Sequence, residues 1–387
     1  MINTNRLNSI QSVVFDDFNI IEMDMLINIS KLLNASIDVN ESNISKWYDE
    51  MVLKNKKLNS DQLKVIKKYE KKVKKDIAEM YELIGFETMD HDEKTYLKAV
   101  RQGLLSANPT PYTESNAVLN ILKTSIKNAD DAYNLIRTSA IESSSKEFLR
   151  TLSKVQVEVS TGVRDYNSAI RLATRQLSDY GITGQTYVSD SGKTIRYSME
   201  SAVRREIVSP TVKTTGDMQI ERMGEYGNNH VEVSSHVGAR PDHARWQGYV
   251  YMLVGSNSKY RNLTEATNYG DVAGLQGANC RHFFYPFVPG ISERTFKHYN
   301  AEENDVIYKE SQTQRRLERN VVKNKRRVVL SDYTNDQVGF KNESIKLKKS
   351  RVELENFMKE TGRTQQTRLF VHGFDVSLSN KANAVVR

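Results

Sequence analysis

The sequence predicts an α+β fold in which long helices precede a small mixed module and a basic helical region follows it. Three observations predict this arrangement. Proline disfavours a helix interior by ~3 kcal/mol, and none of the six prolines precedes residue 109. Apolar residues recur every three or four positions through much of residues 1–229, and the period shortens to two after His230. We therefore expect mainly helix in residues 1–229, and a small sheet only from Tyr187 onward, concentrated between His230 and Phe287.

The first helical region covers residues 1–108. A continuous amphipathic pattern predicts a helix over residues 60–84 that is capped by Ser60 or Asn59 and ends at Gly85. The segment Asn108-Pro109-Thr110-Pro111 breaks the chain and marks the first boundary. The sequence shows no basic start with an uninterrupted apolar run, and no stretch of ~18 apolar residues. We therefore expect a soluble protein made in a cytoplasm, with neither a secretory signal nor a membrane span.

The second helical region covers residues 112–229, and its pattern changes once. Most of the region has helical periodicity. A Ser-Asp-Ser-Gly turn, flanked by two short segments in which polar and apolar residues alternate, predicts a hairpin. The predicted elements are helices over 118–136 and 146–180, a hairpin near 187–197, a helix over 199–207, and a helix that ends near 224–227.

Residues 230–300 are predicted to form a compact α+β module. Residues 231–235 and 248–254 alternate like strands, and residues 283–287 form a third apolar segment. Residues 301–387 return to basic helix and end in a tail with few packing residues, which either docks on another surface or stays mobile.

The chain carries an excess of positive charge, because 56 Lys and Arg face 48 Asp and Glu. One cluster lies between Lys54 and Lys75, and a second lies between Lys309 and Arg327. Basic stripes can neutralise DNA phosphates, but a lysine-rich face is also typical of a solvated helix. We assign any non-specific contact with duplex DNA to the second cluster. The assigned residues are Arg315, Arg316, Arg319, Lys323, Lys325, Arg326 and Arg327.

Four histidines and the single cysteine lie between His230 and His282. One cysteine excludes an intrachain disulfide and any cysteine-only metal site. Zinc is one alternative, although the Cys-x-His spacing is shorter than in ordinary zinc motifs. A Cys–His hydrolase is a second, with Arg281 lowering the pKa of the Cys280 thiol. The four candidate zinc ligands are His236, His243, Cys280 and His282.

The third alternative is structural, and we favour it. Asp242 is expected to pair with Arg240, Arg245 or Arg281 in a satisfied hydrogen-bond network, with Trp246 packed beneath. Cys280 then fills a small buried position in the following loop. We therefore assign no catalytic residue and no cofactor.

Several uncommon sequence blocks occur in one order between Val231 and Val288. They include His236-x-Gly238-Ala239-Arg240-Pro241-x-His243, Trp246-Gln247-Gly248 and Asn279-Cys280-Arg281-His282. In these blocks the sequence resembles the phage minor capsid protein 2 family, a branch of the bacteriophage head-morphogenesis proteins. The signature residues are His236, Gly238, Arg240, Pro241, Asp242, His243, Trp246, Gln247, Gly248, Asn279, Cys280, Arg281 and His282.

The resemblance implies a structural virion protein that lies in the head interior or at the portal vertex. It implies the portal protein, a major capsid or scaffolding protein and packaged double-stranded DNA as partners. The implied role is in head assembly and in DNA packaging or delivery. The alternative is an injected effector or a Cys/His-dependent enzyme, which would have a concave pocket around Cys280.

Overall fold

The computed structural model describes residues 2, 4–34, 39–105, 109–278, 280–365 and 369–386. These residues are mostly helical, with one two-stranded and one four-stranded sheet. The α-helices are α1 (Thr4–Leu33), α2 (Ile44–Arg101), α3 (Asn116–Ser160), α4 (Tyr166–Tyr180), α5 (Met199–Val203), α6 (Pro210–Tyr226), α7 (Pro241–Ala244), α8 (Leu263–Thr267), α9 (Ala301–Tyr333), α10 (Gln337–Thr361) and α11 (Val376–Ala384). The strands are β1 (Thr183–Val188), β2 (Thr194–Ser198), β3 (His230–Val233), β4 (Val250–Met252), β5 (Arg261–Asn262) and β6 (Phe284–Pro286).

Helix α2 is much longer than the predicted helix over residues 60–84, and the prediction that Gly85 ends it is wrong. Gly85 lies inside α2, where a Cβ atom would lie 3.2 Å from Met218 Cε. Glycine in a helix interior costs only about 1 kcal/mol relative to alanine, which close packing of this kind can offset.

The predicted helix over residues 146–180 is broken in its middle. Gly162 follows the end of α3 with a positive φ of 67°, which is typical of a residue just past a helix end. Asp165 then caps α4, and its Oδ1 accepts a hydrogen bond from Ser168 N at 3.0 Å. The single helix predicted over residues 146–180 therefore corresponds to two elements, the C-terminal part of α3 and the whole of α4.

The predicted hairpin is confirmed. β1 and β2 pair antiparallel, and the first strand begins at Thr183, slightly before the predicted Tyr187. The expected helix from Met199 is also present as α5, and it continues as a π-helical turn over Arg204–Val208. Among the described residues, none of the helices contains an apolar stretch of the length that a membrane span needs.

The chain divides into two compact units, and neither is a single continuous segment. The sheet unit comprises Met1–Gln11, Lys75–Ala132 and Arg204–Thr313. The helix-rich unit comprises Ser12–Lys74, Tyr133–Val203 and Gln314–Arg387. The long helices α2, α3 and α9 each contribute residues to both units, so the division does not follow the order of the chain.

The sheet unit is organised around β3. The strand order is β5-β4-β3-β6, with β3 antiparallel to both neighbours and β4 parallel to β5. Helices α2 and α6 supply part of its core, where the rings of Tyr96 and Tyr226 stack with centroids 4.4 Å apart. Gln219 Nε2 donates to Asp92 Oδ2 (2.6 Å) and to Phe284 O (2.8 Å). These bonds tie α6 to α2 and to β6.

The helix-rich unit contains the β1–β2 hairpin and has its own core. Trp47 and Tyr166 meet edge to face, with ring centroids 5.5 Å apart. The buried carboxylate of Glu22 accepts a hydrogen bond from Ile182 N (3.0 Å). This bond fixes the chain between α4 and β1, where a backbone N–H would otherwise be buried without a partner.

Candidate functional site

The four-stranded sheet brings two segments distant in the sequence to one of its ends. β3 and β6 are antiparallel neighbours, so the loop that leaves β3 lies beside the segment that leads into β6. Beyond the strand ends, Ser234 N donates to Phe283 O (2.8 Å) and Phe283 N donates to Ser234 Oγ (2.9 Å). Pairing of these segments gathers the predicted cluster residues. The residues gathered are His236, His243, Cys280 and His282.

The short helix α7 directs His243 into the protein. Pro241 occupies its first position, where a missing N–H has no cost, and Arg240 O accepts a hydrogen bond from His243 N (2.9 Å). The buried His243 ring lies on Trp246 with centroids 4.5 Å apart, and Trp246 meets the His282 ring edge-on at 4.8 Å. Trp246 therefore forms one wall of the cluster.

Three buried side chains converge in what we call the His–Cys–His cluster, formed by His243, Cys280 and His282. Cys280 Sγ lies 3.6 Å from His282 Nδ1 and 3.8 Å from His243 Nδ1. The candidate ligand atoms all lie within 4.8 Å of one another. The fourth candidate zinc ligand of the sequence, His236, is not in this group.

Hydrogen bonds on the far side of each imidazole orient the cluster. His282 Nε2 lies 3.0 Å from Gln247 Oε1, which also accepts a hydrogen bond from His236 N (3.0 Å). The amide oxygen of Gln247 can only accept, so Nε2 of His282 carries the proton and its Nδ1 lone pair faces the sulfur. His243 Nε2 lies 2.9 Å from Ala273 O.

His236 lies outside the ligand group because of how its ring is placed. The His236 ring stacks on the His282 ring, with centroids 4.5 Å apart and planes inclined by only 21°. An imidazole lone pair lies in the plane of its ring, so two nearly parallel, stacked rings do not direct their lone pairs to one point. His236 covers the cluster as a stacking partner.

Burial governs protonation in the cluster. Burial lowers the pKa of His243, and burial together with the neighbouring His236 and His243 lowers the pKa of His282 well below its ordinary value. Burial also raises the pKa of the Cys280 thiol. A nucleophilic cysteine needs an accessible thiolate, and the Cys280 thiol is buried and protonated at neutral pH. The arrangement is therefore poorly suited to attack on a substrate.

Two signature glycines allow close approach of the loops around the cluster. Gly238 and Gly248 have positive φ values of 77° and 74°. A Cβ atom on Gly238 would lie 2.9 Å from Ile307 Cγ2, and one on Gly248 would lie 2.6 Å from Lys297 O. Both positions require glycine for conformation and for space.

The charged signature residues lie at the rim of the cluster. Arg240 Nη2 donates to Ala273 O (3.0 Å) and contacts His243 Nε2, which lies 2.9 Å from the same carbonyl oxygen. Asp242 is exposed, and its Oδ1 lies 3.7 Å from Arg240 Nε, which is the first of the pairings expected from the sequence. Arg281 is half-buried. Asn279 lies outside the described residues.

Sequence reasoning missed two residues that fix this region. Asn304, at the start of α9, bonds both backbone groups of Ala239: its Oδ1 accepts from Ala239 N (2.9 Å) and its Nδ2 donates to Ala239 O (2.8 Å). The buried Glu232 Oε1 accepts from Thr295 N (2.8 Å) and Phe296 N (2.9 Å). No motif signals either contact, because each joins residues more than sixty positions apart.

The basic residues assigned to DNA lie in different environments within the helix-rich unit. Arg327 is buried, with Nη2 2.6 Å from Asp179 Oδ2 and Nη1 3.2 Å from Glu343 Oε2. Arg326 Nη2 lies 2.7 Å from Glu22 Oε2. These two guanidinium groups are engaged by carboxylates of the protein itself.

The other five residues assigned to DNA differ in how far their side chains are exposed to solvent. Lys323 Nζ lies 3.3 Å from Asp179 Oδ2, and Lys325 Nζ donates to Leu369 O (2.6 Å). Arg316 and Arg319 are exposed, and Arg315 is partly exposed. The seven residues therefore do not form one open basic surface, and DNA contact by the exposed ones stays a prediction.

Comparison with known proteins identifies the family. The sequence model of the family described as phage minor capsid protein 2 matches residues 2–359. The chain belongs to the phage minor capsid protein 2 family. The resemblance carried by the blocks around the His–Cys–His cluster is thereby confirmed, and the match extends well beyond that region into the helices on both sides.

Two relatives of this minor capsid protein come from lactococcal phages. A protein of Lactococcus phage LL-H, described as a structural protein, is 26% identical over 315 residues, which cover 78% of this chain and 82% of the relative. Another structural protein, from Lactococcus phage mv4, is 37% identical over 76 residues, which cover 20% of this chain and 61% of the relative. No solved structure matches the chain.

Proposed function

We propose that this minor capsid protein is a structural component of a tailed-phage virion, situated in the head interior or at the portal vertex. The family match over residues 2–359 carries the proposal. The lactococcal-phage relatives, both described as structural proteins, support it. The protein would be synthesised in the host cytoplasm and would join the particle during head assembly, in contact with the portal protein and with major capsid or scaffolding protein.

The geometry around Cys280 supports a structural role over a catalytic one. Catalysis by a Cys–His pair needs an exposed, ionisable thiol and space for a substrate beside it. Cys280 is only 9% exposed, and His282 beside it is 1% exposed. The alternative of an injected Cys/His-dependent enzyme therefore lacks an accessible nucleophile.

Packaged double-stranded DNA is a further proposed partner, contacted without sequence specificity. Lys56, Lys57, Lys67 and Lys71 are exposed on α2 in the helix-rich unit, and none makes an ion pair with any residue that the structure describes. Lysines that make no ion pair within the protein can neutralise DNA phosphates and release condensed counterions. This surface is better placed for such contact than Arg326 and Arg327, which are paired internally.

A particle reconstruction without imposed symmetry at the portal vertex tests the proposed location. We expect density for the long helices α2, α3 and α9 inside the head next to the portal. As a matched control, particles produced without this chain should lack that density and retain the portal itself. Density distributed evenly over the capsid lattice would contradict the proposed location.

A further inference from the structure

We propose that the His–Cys–His cluster binds one zinc ion through His243 Nδ1, Cys280 Sγ and His282 Nδ1, with a solvent molecule as the fourth ligand. The site would fasten the loop after β3 to the segment before β6. It is formed entirely within the sheet unit.

The distances from the Cys280 sulfur to the two histidine nitrogens fit a zinc ion. Zinc bonds of ~2.3 Å to sulfur and ~2.0 Å to nitrogen at tetrahedral angles place the two ligand atoms about 3.5 Å apart. The observed separations from Cys280 Sγ are 3.6 Å to His282 Nδ1 and 3.8 Å to His243 Nδ1. These two separations fit a shared zinc ion. The ligand nitrogens of His243 and His282, which lie within 4.8 Å of each other, move closer together on binding, to about 3.3 Å.

In the metal-free cluster a single thiol lies between two imidazole nitrogens. A thiol carries one proton, yet Cys280 Sγ faces an Nδ1 atom of each histidine. The sulfur can donate to only one of them, and it already accepts from His282 N at 3.4 Å. A metal ion would engage all three atoms at once, with the thiol proton released on binding.

The outer contacts are those that metal-binding histidines use. A histidine ligand commonly donates its other N–H to a carbonyl or carboxylate, which fixes the tautomer and the ring orientation. His282 does so through Gln247 Oε1 (3.0 Å). His243 Nε2 has Ala273 O at 2.9 Å, the carbonyl to which Arg240 also donates. Both Nδ1 atoms are thereby directed toward Cys280.

The ligand set has three protein residues, because His236 stacks on His282 and does not point its lone pair to the same place. The mix of thiolate sulfur and imidazole nitrogen favours zinc over magnesium or calcium, which prefer oxygen ligands.

The experiment titrates the metal-stripped full chain with Zn²⁺ and, in parallel, with Co²⁺ as a spectroscopic probe. We expect one ion per chain and, for Co²⁺, the thiolate-to-cobalt charge-transfer band that a cysteine ligand produces. His236→Asn should retain one ion per chain. Cys280→Ser and His243→Asn should each lose the stoichiometric ion, and Cys280→Ser should lose the charge-transfer band.

Two variants make the test robust. Gln247→Met removes the acceptor of His282 Nε2–H without removing a ligand, and should weaken metal affinity by about 10–100-fold. His372→Asn changes a histidine of the helix-rich unit and should leave affinity unchanged. Circular dichroism verifies that each variant is folded.

Three results would overturn the inference. The first is a folded wild-type chain that takes up no ion. The second is equal uptake by wild type, Cys280→Ser and His243→Asn, which would show that the ion binds elsewhere. The third is loss of the ion in His236→Asn with folding intact, which would reject the three-residue ligand set.

Discussion

At the residue scale, Cys280 is the point where two segments of the sheet unit meet. Its sulfur contacts both buried histidines and a backbone N–H, and its burial raises the thiol pKa. Sequence reasoning reached the composition of this cluster from four histidines and one cysteine in a short stretch. It could not separate His236 from the ligands, because ring stacking depends on side-chain directions that spacing does not encode.

Replacing Cys280 by serine should lower the free energy of unfolding of the metal-free protein. Serine places a stronger hydrogen-bonding group in a buried position between two imidazoles, and we expect a loss of about 1–2 kcal/mol, the usual range for a core substitution. Chemical denaturation at pH 7 in the presence of chelator measures it. Cys280→Ala is the control that removes the sulfur without adding a hydroxyl, and unchanged stability of both variants would contradict a packed position for Cys280.

Lys325 should make stability depend on pH in the alkaline range. Burial, with a smaller effect of Arg351, lowers the pKa of Lys325 to about 8 from its ordinary 10.5. Between these values the unfolded chain holds a proton that the folded chain has lost, so the free energy of unfolding rises with pH there. Below pH 8 both states are protonated and the slope from this residue vanishes.

Denaturant titrations between pH 7 and 10.5 on wild type and Lys325→Met measure this effect. The stability difference between the two proteins should change in favour of wild type as pH rises above 8. Lys359→Met, at an exposed position, is the matched control and should track wild type. A wild-type curve parallel to that of Lys325→Met throughout would refute the assignment.

At the element scale, local patterns predicted the type of most elements and misplaced several ends. The β1–β2 hairpin was predictable because a turn sequence and alternation act over neighbouring residues. The extent of α2 was not predictable, because Gly85 packs inside the helix against Met218. Met218 lies on α6, which is far from Gly85 in the sequence. The break at Gly162 was missed because apolar periodicity continues from α3 into α4.

The loop between α7 and β4 depends on a glycine that no other residue can replace without strain. Gly248→Ala should destabilise the sheet unit, because a Cβ atom would lie 2.6 Å from Lys297 O at a positive φ. Gly255→Ala is a matched control: its φ of 72° is nearly the same, and nothing lies within 4 Å of its Cβ position.

The control isolates the conformational cost, which is about 1–2 kcal/mol for a non-glycine residue in the left-handed region. Thermal and denaturant unfolding of both variants should show a larger loss for Gly248→Ala than for Gly255→Ala. Equal losses would mean that the loop yields to the added atom without cost.

At the scale of the whole molecule, the net charge predicts electrostatic partners, but the fold decides which charges are available. The sequence predicted DNA contact at residues 315–327, and the structure pairs Arg326 with Glu22 and Arg327 with Asp179 and Glu343. Glu22 is 304 positions from Arg326 and Asp179 is 148 positions from Arg327, so counting charges along the sequence could not reveal these pairings. The exposed lysines of α2 are the stronger candidates.

A salt titration of duplex-DNA binding tests these lysines. The variant Lys56→Gln, Lys57→Gln, Lys67→Gln, Lys71→Gln should reduce the slope of log affinity against log salt by about 3–4, since each phosphate contact contributes ~0.9. A control variant with the same charge change at Lys341, Lys348, Lys349 and Lys359, exposed on α10, should leave most of the slope. Equal slopes for wild type and the α2 variant would show that the exposed lysines of α2 face solvent and do not contact DNA.

If the chain is a built-in structural component of the virion, its stoichiometry in purified particles should be fixed. Quantitative mass spectrometry would compare the chain with the portal protein in particles washed with nuclease and high salt. We expect a low ratio of this chain to the portal protein that stays constant through washing and between preparations. A chain that is absent from washed particles, or whose ratio to the portal protein varies from one preparation to the next, would contradict it.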